Sequence, residues 1–343
     1  MAHVLLLLKM KHISNSPVTR FTCCLEKKGY YMTARQNPKR ILLPLDGSER
    51  SLGTVRYITK IKPFFQMQVV LFHVHAGSPE SYFDLGKDPR STGTVAYVRA
   101  WEIEQKKKAR HYMQKAGRVL LQAGFPEEAV SVKIGKRKQG IARDIIKEAR
   151  QGYDAVVARR RGMGALRGIV LGSVANKLLE KLDFLPFLLV GRAAAANRIL
   201  LAFDGSPGAM QAVEFVGSIL GGTDFEICLI HVMRSSLEAK PENQRFSLPP
   251  ELIENAGIDM APKIEAASRV LLQSGFNKNR ISTKIITGVQ SRAAAIVKEA
   301  RQENYETIVL GRRGISQVRT FFIGRVTNKV IHMARGRTVW VVR

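Results

Sequence analysis

Cysteine is rare in this sequence, which has only three among its 343 residues. Cys23 and Cys24 are adjacent and Cys228 stands alone, so the cysteines lack the spacing of a zinc site. A small and odd number also excludes a framework of disulfide bonds. We interpret Cys23 and Cys24 as inert rather than redox-active, and the composition predicts a cytoplasmic protein in a reducing compartment.

Long apolar runs are missing as well. The run from Val4 to Leu8 is too short for the core of a signal peptide, and Lys9 ends it. No other stretch approaches the roughly 20 apolar residues that a membrane-spanning helix requires. The sequence therefore predicts a protein without a membrane segment.

Acidic residues are few compared with basic ones. The chain has 28 Asp and Glu against 55 Lys and Arg, which gives a formal net charge of +27. Such a charge favours anionic partners, namely nucleotides, nucleic acids or acidic membrane surfaces, without choosing among them. Aromatic residues make up 7% of the chain and rarely alternate with basic ones, so nucleic acid is a partner that we do not favour.

The first 38 residues are interpreted as a basic and disordered N-terminal extension. The first forty residues carry eight Lys or Arg and a single Glu. Met32 lies just before the first regular element, so a start of translation at Met32 is the alternative to a genuine segment 1–31.

Strands and helices are predicted to alternate beyond this extension, including a long helix that starts near Val95 and stops at Gly124 and a fifth strand at Phe187–Val190. The run from Ile41 to Leu45 is typical of a strand that is buried on both faces of a sheet, and Ser48 can cap the helix that follows. Apolar residues make up 45% of the chain, which is enough for well-packed cores. Alternation of this kind predicts parallel sheets with right-handed crossovers and helices on both faces.

The pattern occurs twice. Asp46-Gly47-Ser48 after the first strand returns as Asp204-Gly205-Ser206, and His73-Val74 returns as His231-Val232. We therefore predict a first domain at 39–192, a linker at 193–197 and a second domain at 198–343. Two similar halves are expected to pack as a pseudo-twofold pair, and further homodimerisation stays open.

A glycine loop follows the fourth strand of each half. Gly311, Gly314 and Gly324 form this loop in the second half, and Gly162 and Gly172 have the matching spacing in the first. A strand that ends in glycines and leads into a helix presents backbone N–H groups and a helix dipole to an anion. The pattern predicts phosphate cradles, although Gly162 and Gly314 as plain turn glycines are the alternative.

Three features fall on one edge of each predicted sheet, beyond the carboxyl ends of the strands, where ligands of such sheets bind. They are the Asp-Gly-Ser turns, the His-Val pairs and the glycine loops. Asp46 and Asp204 are either ligand contacts or Asx turns. We interpret His73 and His231 as buried strand residues rather than catalysts. No lysine of the Walker type follows the glycines, and no carboxylates are paired as an acid and a base.

These residues resemble the universal stress protein family in its tandem two-domain form. The signature of that family is a glycine, two residues, a second glycine, nine residues, and then glycine with Ser or Thr. The resemblance extends from residue 39 to 343. It implies an α/β fold with two Rossmann-like (adenine nucleotide alpha hydrolase-like) domains, each a five-stranded parallel sheet with helices on both faces. It also implies ATP as the ligand, with or without Mg²⁺, and a regulatory stress-response module with weak hydrolysis of ATP at most.

The resemblance assigns a role to each matching position. Asp46 and Asp204 would accept hydrogen bonds from the ribose, the apolar positions would line the adenine pocket, and the glycine loops would hold the phosphates. In the first half the implied residues are Pro44, Asp46, Val74, Arg161, Gly162, Gly172, Ser173 and Val174. In the second half they are Ala202, Asp204, Val232, Gly311, Arg313, Gly314, Gly324, Arg325 and Val326.

Both halves depart from the signature. Arg159 stands at the first glycine of the first half, where backbone should approach the ligand, and Arg325 replaces the hydroxyl residue of the second half. A guanidinium group can itself bind phosphate in a bidentate manner. The run Arg159-Arg160-Arg161 belongs either to the site or to a solvated face. The hypotheses are therefore an ATP-binding module, a polyanion-binding protein and a nucleotide-independent dimerisation scaffold whose cradles have decayed.

Overall fold

The computed structural model describes residues 39–75, 77, 92–160, 171–192, 197–234, 236–237, 246–247, 250–314 and 323–343. The basic N-terminal segment, and with it the choice between an extension and a start at Met32, lies outside these residues.

Strands and helices alternate through the first half as predicted. Its elements are β1 (Arg40–Pro44), α1 (Glu49–Ile58), β2 (Gln68–His75), α2 (Thr92–Gln122), β3 (Val130–Lys136), α3 (Ile141–Ala149), β4 (Ala155–Arg159), α4 (Ser173–Lys181) and β5 (Phe187–Val190). Helix α2 begins three residues before the predicted start at Val95. Its end is as predicted, because Gly124 adopts a φ of 100°, which ends the helix.

The second half repeats this order. Its elements are β6 (Arg198–Ala202), α5 (Pro207–Leu220), β7 (Glu226–Arg234), β8 (Ser236–Leu237), β9 (Phe246–Ser247), α6 (Pro250–Gln273), β10 (Ile281–Val289), α7 (Arg292–Gln302), β11 (Thr307–Gly311), α8 (Arg325–Met333) and β12 (Thr338–Val342). The short antiparallel pair of β8 and β9 was not predicted. Short 3-10 turns at Lys62–Gln66, Glu127–Ala129 and Lys278–Arg280 precede β2, β3 and β10.

Each half contains a parallel five-stranded sheet, as predicted. The strand order is β3-β2-β1-β4-β5 in the first half and β10-β7-β6-β11-β12 in the second. The first strand of each half lies in the middle, between the second and the fourth strand. The chain reverses its direction of winding at this strand, so the carboxyl ends of β1 and β6 open the crevice where such folds bind ligands.

The two sheets join into one sheet of ten strands. Strands β5 and β12 pair in antiparallel orientation, with Leu188 opposite Trp340. Trp340 is fully buried, and its indole Nε1 donates a hydrogen bond to the Tyr57 hydroxyl of α1 at 3.0 Å. The apolar core on this face of the sheet continues from one half into the other. Burial raises the pKa of the Tyr57 hydroxyl to about 12.

Two buried arginines also connect the halves. Arg160 follows β4 and donates from Nε to the carbonyl of Arg337 at 3.1 Å and from Nη1 to the carbonyl of Ile331 at 2.6 Å. Its acceptors lie at and just beyond the C-terminal end of α8 in the other half. Arg160 is 6% exposed, so the interpretation of this run as a solvated face is wrong for Arg160.

Arg312 makes the reciprocal connection after β11. Its Nη1 donates to the carbonyl of Leu182 at 3.0 Å, and its Nη2 donates to those of Leu179 and Glu180 at 2.7 and 2.9 Å. The last carbonyls of a helix lack partners within the helix and carry partial negative charge, so a guanidinium stabilises them. Burial is the main cause that lowers the pKa of Arg312 to about 10. Each half thus caps the last helix of the other.

Among the helices in the described ranges, none is both long and apolar enough to cross a membrane.

Candidate functional site

A cleft of about 590 Å³ opens at the carboxyl ends of β1, β2 and β4 in the first half. It brings together predicted residues that are far apart in the sequence. Pro44 and Asp46 come from the end of β1, Val74 from β2, and Gly172, Ser173 and Val174 from the start of α4. Arg161 and Gly162, which were predicted for the same site, lie outside the described residues.

The Asp-Gly-Ser turn is stabilised by its own aspartate. Oδ1 of Asp46 accepts hydrogen bonds from the Ser48 backbone N at 3.0 Å and from Ser48 Oγ at 2.6 Å. The matching Oδ1 of Asp204 accepts from the Ser206 backbone N at 3.0 Å. The Asx turn is therefore present in both halves. The turn fixes each carboxylate at the mouth of its half, and contact with a ribose stays a prediction.

The two strand histidines have matching structural roles. Nδ1 of His73 lies 2.8 Å from the carbonyl oxygen of Leu45, and Nδ1 of His231 lies 2.8 Å from that of Phe203. Each ring therefore ties the end of the second strand to the residue before the aspartate. His231 is buried as predicted, whereas His73 is half-buried and lines the cleft, so the prediction of a buried residue is confirmed for His231 alone.

The phosphate end of the cleft is the start of α4. The Gly172 backbone N donates to the carbonyl of Arg160 at 2.8 Å, which holds the end of the loop against the end of β4. Gly172 is the N-cap residue, and it provides no side-chain acceptor for the first turn of α4. The first N–H groups of a helix have no acceptor within the helix, so this end of the cleft favours an anion.

Helix α2 supplies a wall of the cleft that the sequence did not predict. Trp101, Gln105, Lys108, Ala109 and Tyr112 line it from this helix, and His75 lines it from the end of β2. The Tyr112 hydroxyl donates to the carbonyl of Ser48 at 3.0 Å and lies 2.6 Å from the Ser51 hydroxyl, which anchors α2 over the turn. Desolvation raises the pKa of Tyr112 to about 12. Gln105, Lys108 and Tyr112 are spaced by about one helical turn, and this spacing was the sequence signal that could have predicted the wall.

The glycine loop of the second half packs closely on the turn of Asp204 and on α5. A Cβ placed on Gly314 would lie 2.3 Å from Asp204 Oδ2, so the glycine loop lies directly against this carboxylate. A Cβ on Gly311 would lie 2.6 Å from the backbone carbon of Gly208 in α5. The Gly324 backbone N donates to the carbonyl of Arg312 at 2.9 Å, which matches the bond at Gly172.

The remaining predicted residues of the second half occupy the equivalent places. Ala202 ends β6, Val232 is buried in β7, and Val326 packs on the core from the first turn of α8. The Arg313 backbone carbonyl approaches Gly208, and Arg325 is the first residue of α8.

Side chains of α6 cover the Asp-Gly-Ser turn of the second half. A Cβ on Gly205 would lie 2.8 Å from Lys263 Cδ and 3.4 Å from Met260 Sδ. In the first half, the nearest atom to a Cβ on Gly47 among the described residues is His73 Cε1 at 4.0 Å. The repeat places Met260 where the first half has Ala109, and both face the core. Among the described residues, the glycine of the turn is thus closely covered in the second half and not in the first, where α2 reaches the turn through the hydrogen bond of Tyr112 to Ser48.

A family model confirms the family that the repeated sequence pattern resembles. The model of the universal stress protein family matches residues 37–190 and again residues 196–343. The chain belongs to the universal stress protein family. A universal stress protein of Mycolicibacterium smegmatis is 24% identical over 312 residues, which are 88% of this chain and 96% of that protein. Another, from Synechocystis, is 22% identical over 226 residues, which are 65% of this chain and 68% of that protein.

The fold is shared with a solved universal stress protein. The crystal structure of a universal stress protein from Archaeoglobus fulgidus superposes with a TM-score of 0.60 and is 21% identical. The superposition covers 89% of this chain and 98% of that chain. Membership of the family and the doubled Rossmann-like fold are therefore established, and they support a role as a stress-response module.

The departure of the first half from the universal stress protein signature has a structural explanation. Nη1 of Arg159 donates to the carbonyl of Gly191 at 2.6 Å, and a Cβ on Gly53 of α1 would lie 2.6 Å from the same Nη1. The Arg159 guanidinium therefore occupies the space left by the missing side chain of Gly53 in α1. Arg159 also lines the cleft. The pKa of Arg159 is lowered, first by desolvation and then by Arg192.

Possible metal ligands occur across the described residues of this universal stress protein. In the part of the chain that the structure describes, no group of three or more His, Cys, Asp or Glu side chains is placed to hold a metal ion.

Proposed function

We propose that the first half binds ATP in the cleft at the ends of β1, β2 and β4, and that this binding regulates the chain as a stress-response module. The observation that carries the proposal is the cleft itself. It places an aspartate, an apolar floor and a helix N-terminus around one volume of about 590 Å³, which is within the range of roughly 300–1,000 Å³ of small-ligand pockets.

The chemistry of the cleft suits the three parts of a nucleotide. Pro44 and Val74 offer an apolar floor for the adenine, and the carboxylate of Asp46 offers acceptors for ribose hydroxyls. The start of α4 at Gly172 and Ser173 offers backbone N–H groups and the positive end of a helix dipole to the phosphates. Arg159 adds positive charge at the wall of the cleft.

The second half acts as a nucleotide-independent scaffold in this proposal. Met260 and Lys263 pack on Gly205 in the turn of Asp204, whereas among the described residues the nearest atom to a Cβ on Gly47 is His73 Cε1 at 4.0 Å. The antiparallel pairing of β5 with β12 and the crossed arginine caps make the second half an intramolecular partner of the first. The pair then takes the place of a dimer of single-domain chains. We propose that it works in the cytoplasm with little or no turnover of ATP, whether or not Mg²⁺ accompanies the nucleotide.

A pair of matched variants tests this proposal. Asp46→Asn and Asp204→Asn each keep an Oδ1 acceptor for the Asx turn but remove the carboxylate charge. Titration calorimetry with ATP and Mg²⁺ should give one site per chain for the parent protein. Asp46→Asn should weaken binding about tenfold, which is the typical value of one charge-assisted hydrogen bond. Asp204→Asn should bind as the parent does.

Three other results would contradict parts of the proposal. Two equal sites per chain, or a loss of binding in Asp204→Asn alone, would contradict the assignment to the first half. If the parent does not bind adenine nucleotides, the scaffold function applies to both halves. Steady release of phosphate from ATP, at rates typical of enzymes of about 1 s⁻¹ or more, would contradict the regulatory interpretation.

A further inference from the structure

A second cleft continues from the first toward the surface between α3 and α4. It has a volume of about 520 Å³ and shares Ile141, Ser173 and Val174 with the first cleft. The two clefts therefore meet at the start of α4, where the proposed phosphates would lie. An extended ligand can pass from one cleft into the other without leaving the protein surface.

Basic side chains dominate this second cleft. Its charged lining consists of Arg137, Arg143, Lys177 and Lys181 against the single carboxylate of Glu180. Glu180 accepts a hydrogen bond from Asn176 Nδ2 at 2.7 Å, one turn earlier on the same helix. Several like charges around one concave volume repel each other and attract an anion with more than one charge.

Helix α4 presents its lysines in line with the proposed phosphates. Lys177 and Lys181 follow Ser173 by one and two turns, which correspond to about 6 and 12 Å along the helix axis. Both lysines are exposed, as is Arg143 across the cleft on α3. The positive charge therefore continues along the direction in which a phosphate chain would extend from Ser173.

The second half places its basic residues differently, with Arg292 and Arg325 at the positions of Ile141 and Ser173. The repeat places Gly288 at the position of Arg137, Ala294 at that of Arg143 and Met333 at that of Lys181. Of the four cations, only Lys177 has a basic counterpart, Lys329. The two halves keep the same elements here, so the framework does not require the cations. Arg137, Arg143 and Lys181 are therefore the cations that distinguish the first half at these positions.

We infer that this cationic cleft, lined by Arg137, Arg143, Lys177 and Lys181, binds a phosphate chain that is longer than a triphosphate. The inference rests on the proposed function, since the adenosine of such a ligand would occupy the first cleft. The ligand class is a nucleoside polyphosphate with four or more phosphates. Free inorganic polyphosphate has the same anionic chemistry and would use the second cleft alone.

The test compares ligands that differ only in the length of the phosphate chain. ATP, adenosine 5′-tetraphosphate and inorganic tetraphosphate are titrated into the full chain at fixed ionic strength. We expect adenosine tetraphosphate to bind about tenfold more tightly than ATP, which corresponds to one additional charge-assisted phosphate contact. The double variant Arg143→Ala with Lys181→Met takes its residues from the second half, and it should lose this preference but keep the affinity for ATP. Lys147→Ala removes an exposed charge from α3 that does not line the cleft, and it should keep the preference.

Each other result has a definite meaning. Equal affinities for ATP and adenosine tetraphosphate in the parent would overturn the inference and leave the proposed function intact. A preference that persists in the double variant would overturn the assignment to this cleft. Binding of inorganic tetraphosphate that the double variant abolishes, with no binding of ATP, would support the anion site and overturn the proposed function. Stronger competition by a single-stranded RNA at equal phosphate concentration would overturn the inference in favour of nucleic acid.

Discussion

The Asp-Gly-Ser turns of the two halves have the same backbone and different surroundings. Both turns carry an Asx hydrogen bond and a histidine that ties the neighbouring strand to them. The first turn opens on a cleft, whereas Met260 and Lys263 lie over the second. The repeat therefore preserves the backbone framework of a binding site, while the space beside that framework differs between the halves.

The glycine signature and the open cleft also occur in different halves. The second half has all three signature glycines, and its loop lies tightly against Asp204 and α5. The first half has Arg159 at the first glycine and yet has the open cleft. Agreement with a sequence signature therefore does not by itself identify the half that has room for a nucleotide.

The reciprocal arginines are the feature that both halves share, and their removal should have the largest effect. Arg312→Met would leave three buried or half-buried carbonyls of the first half without their donor. We expect a loss of about 3 kcal/mol in the free energy of unfolding, since an unsatisfied buried acceptor costs roughly 1–3 kcal/mol. Urea unfolding measures this loss. Lys329→Met, at an exposed position of α8, is the control, and an equal loss in both variants would contradict the role of the caps.

Exchange of the residues that face the two turns should move the binding site. Ala109→Met gives the first half the residue that covers the turn of the second half. We expect it to lower the affinity for ATP at least about tenfold, because a larger side chain would fill the space beside the turn. Calorimetric titration measures the affinity, and an unchanged unfolding midpoint shows that the fold is intact. Unchanged affinity would show that Ala109 does not bound the nucleotide.

The pairing of Arg159 with Gly53 can be tested by a double-mutant cycle. The second half has Gly311 and Gln211 at these positions. Gly53→Gln should destabilise the parent by about 1 kcal/mol, because the new side chain displaces the Arg159 guanidinium. In an Arg159→Gly background the same change should stabilise α1 by about 0.5–1 kcal/mol, since glycine within a helix is unfavourable. Additive effects in urea unfolding would show that the two positions are not coupled.

The smallest expected effect concerns His75, whose counterpart in the second half is Met233. His75 is buried, and its Nε2 has no hydrogen-bond partner among the described residues. Desolvation is the main cause that lowers the pKa of His75. The charges of His73, Lys106 and Lys136 lower this pKa further, and Glu102 raises it. A lowered folded-state pKa means that the unfolded chain takes up the proton first. This histidine therefore reduces stability as the pH falls below the unfolded value of about 6.5.

His75→Met should make the free energy of unfolding less dependent on pH between 7 and 5. Unfolding in urea at several pH values measures this dependence. A dependence as steep as that of the parent would assign the effect to other groups. His73 and His231 remain in the variant, so the comparison isolates the one histidine of the described strands that differs between the halves.

The strands and the placement of the turns followed from the sequence because they depend on local patterns. Short apolar runs that end in Asp-Gly-Ser or in glycine fix both the strand and the edge of the sheet at which it ends. The prediction of β5 at Phe187–Val190 agrees with the structure at both ends. Because the pattern repeats, the same elements could be predicted for the second half.

The contacts across the molecule did not follow from the sequence. The acceptors of Arg160 and Arg312 are backbone carbonyls of the other half, and a carbonyl leaves no trace in the residue types. Met260 has the pattern of an ordinary core residue of α6, so its position over the turn was not apparent. The wall that α2 provides depends on the rotation of a long helix above the sheet, which spacing alone does not determine.

The order of the sheet has a consequence for self-assembly. Both closing strands, β5 and β12, are used in the junction, so β3 and β10 are the outermost strands of the ten-stranded sheet. These strands carry exposed lysines, namely Lys133, Lys136 and Lys284, and charged lysines on an edge strand disfavour the addition of another strand. Edge-to-edge addition of a second copy at β3 or β10 is therefore disfavoured by charge.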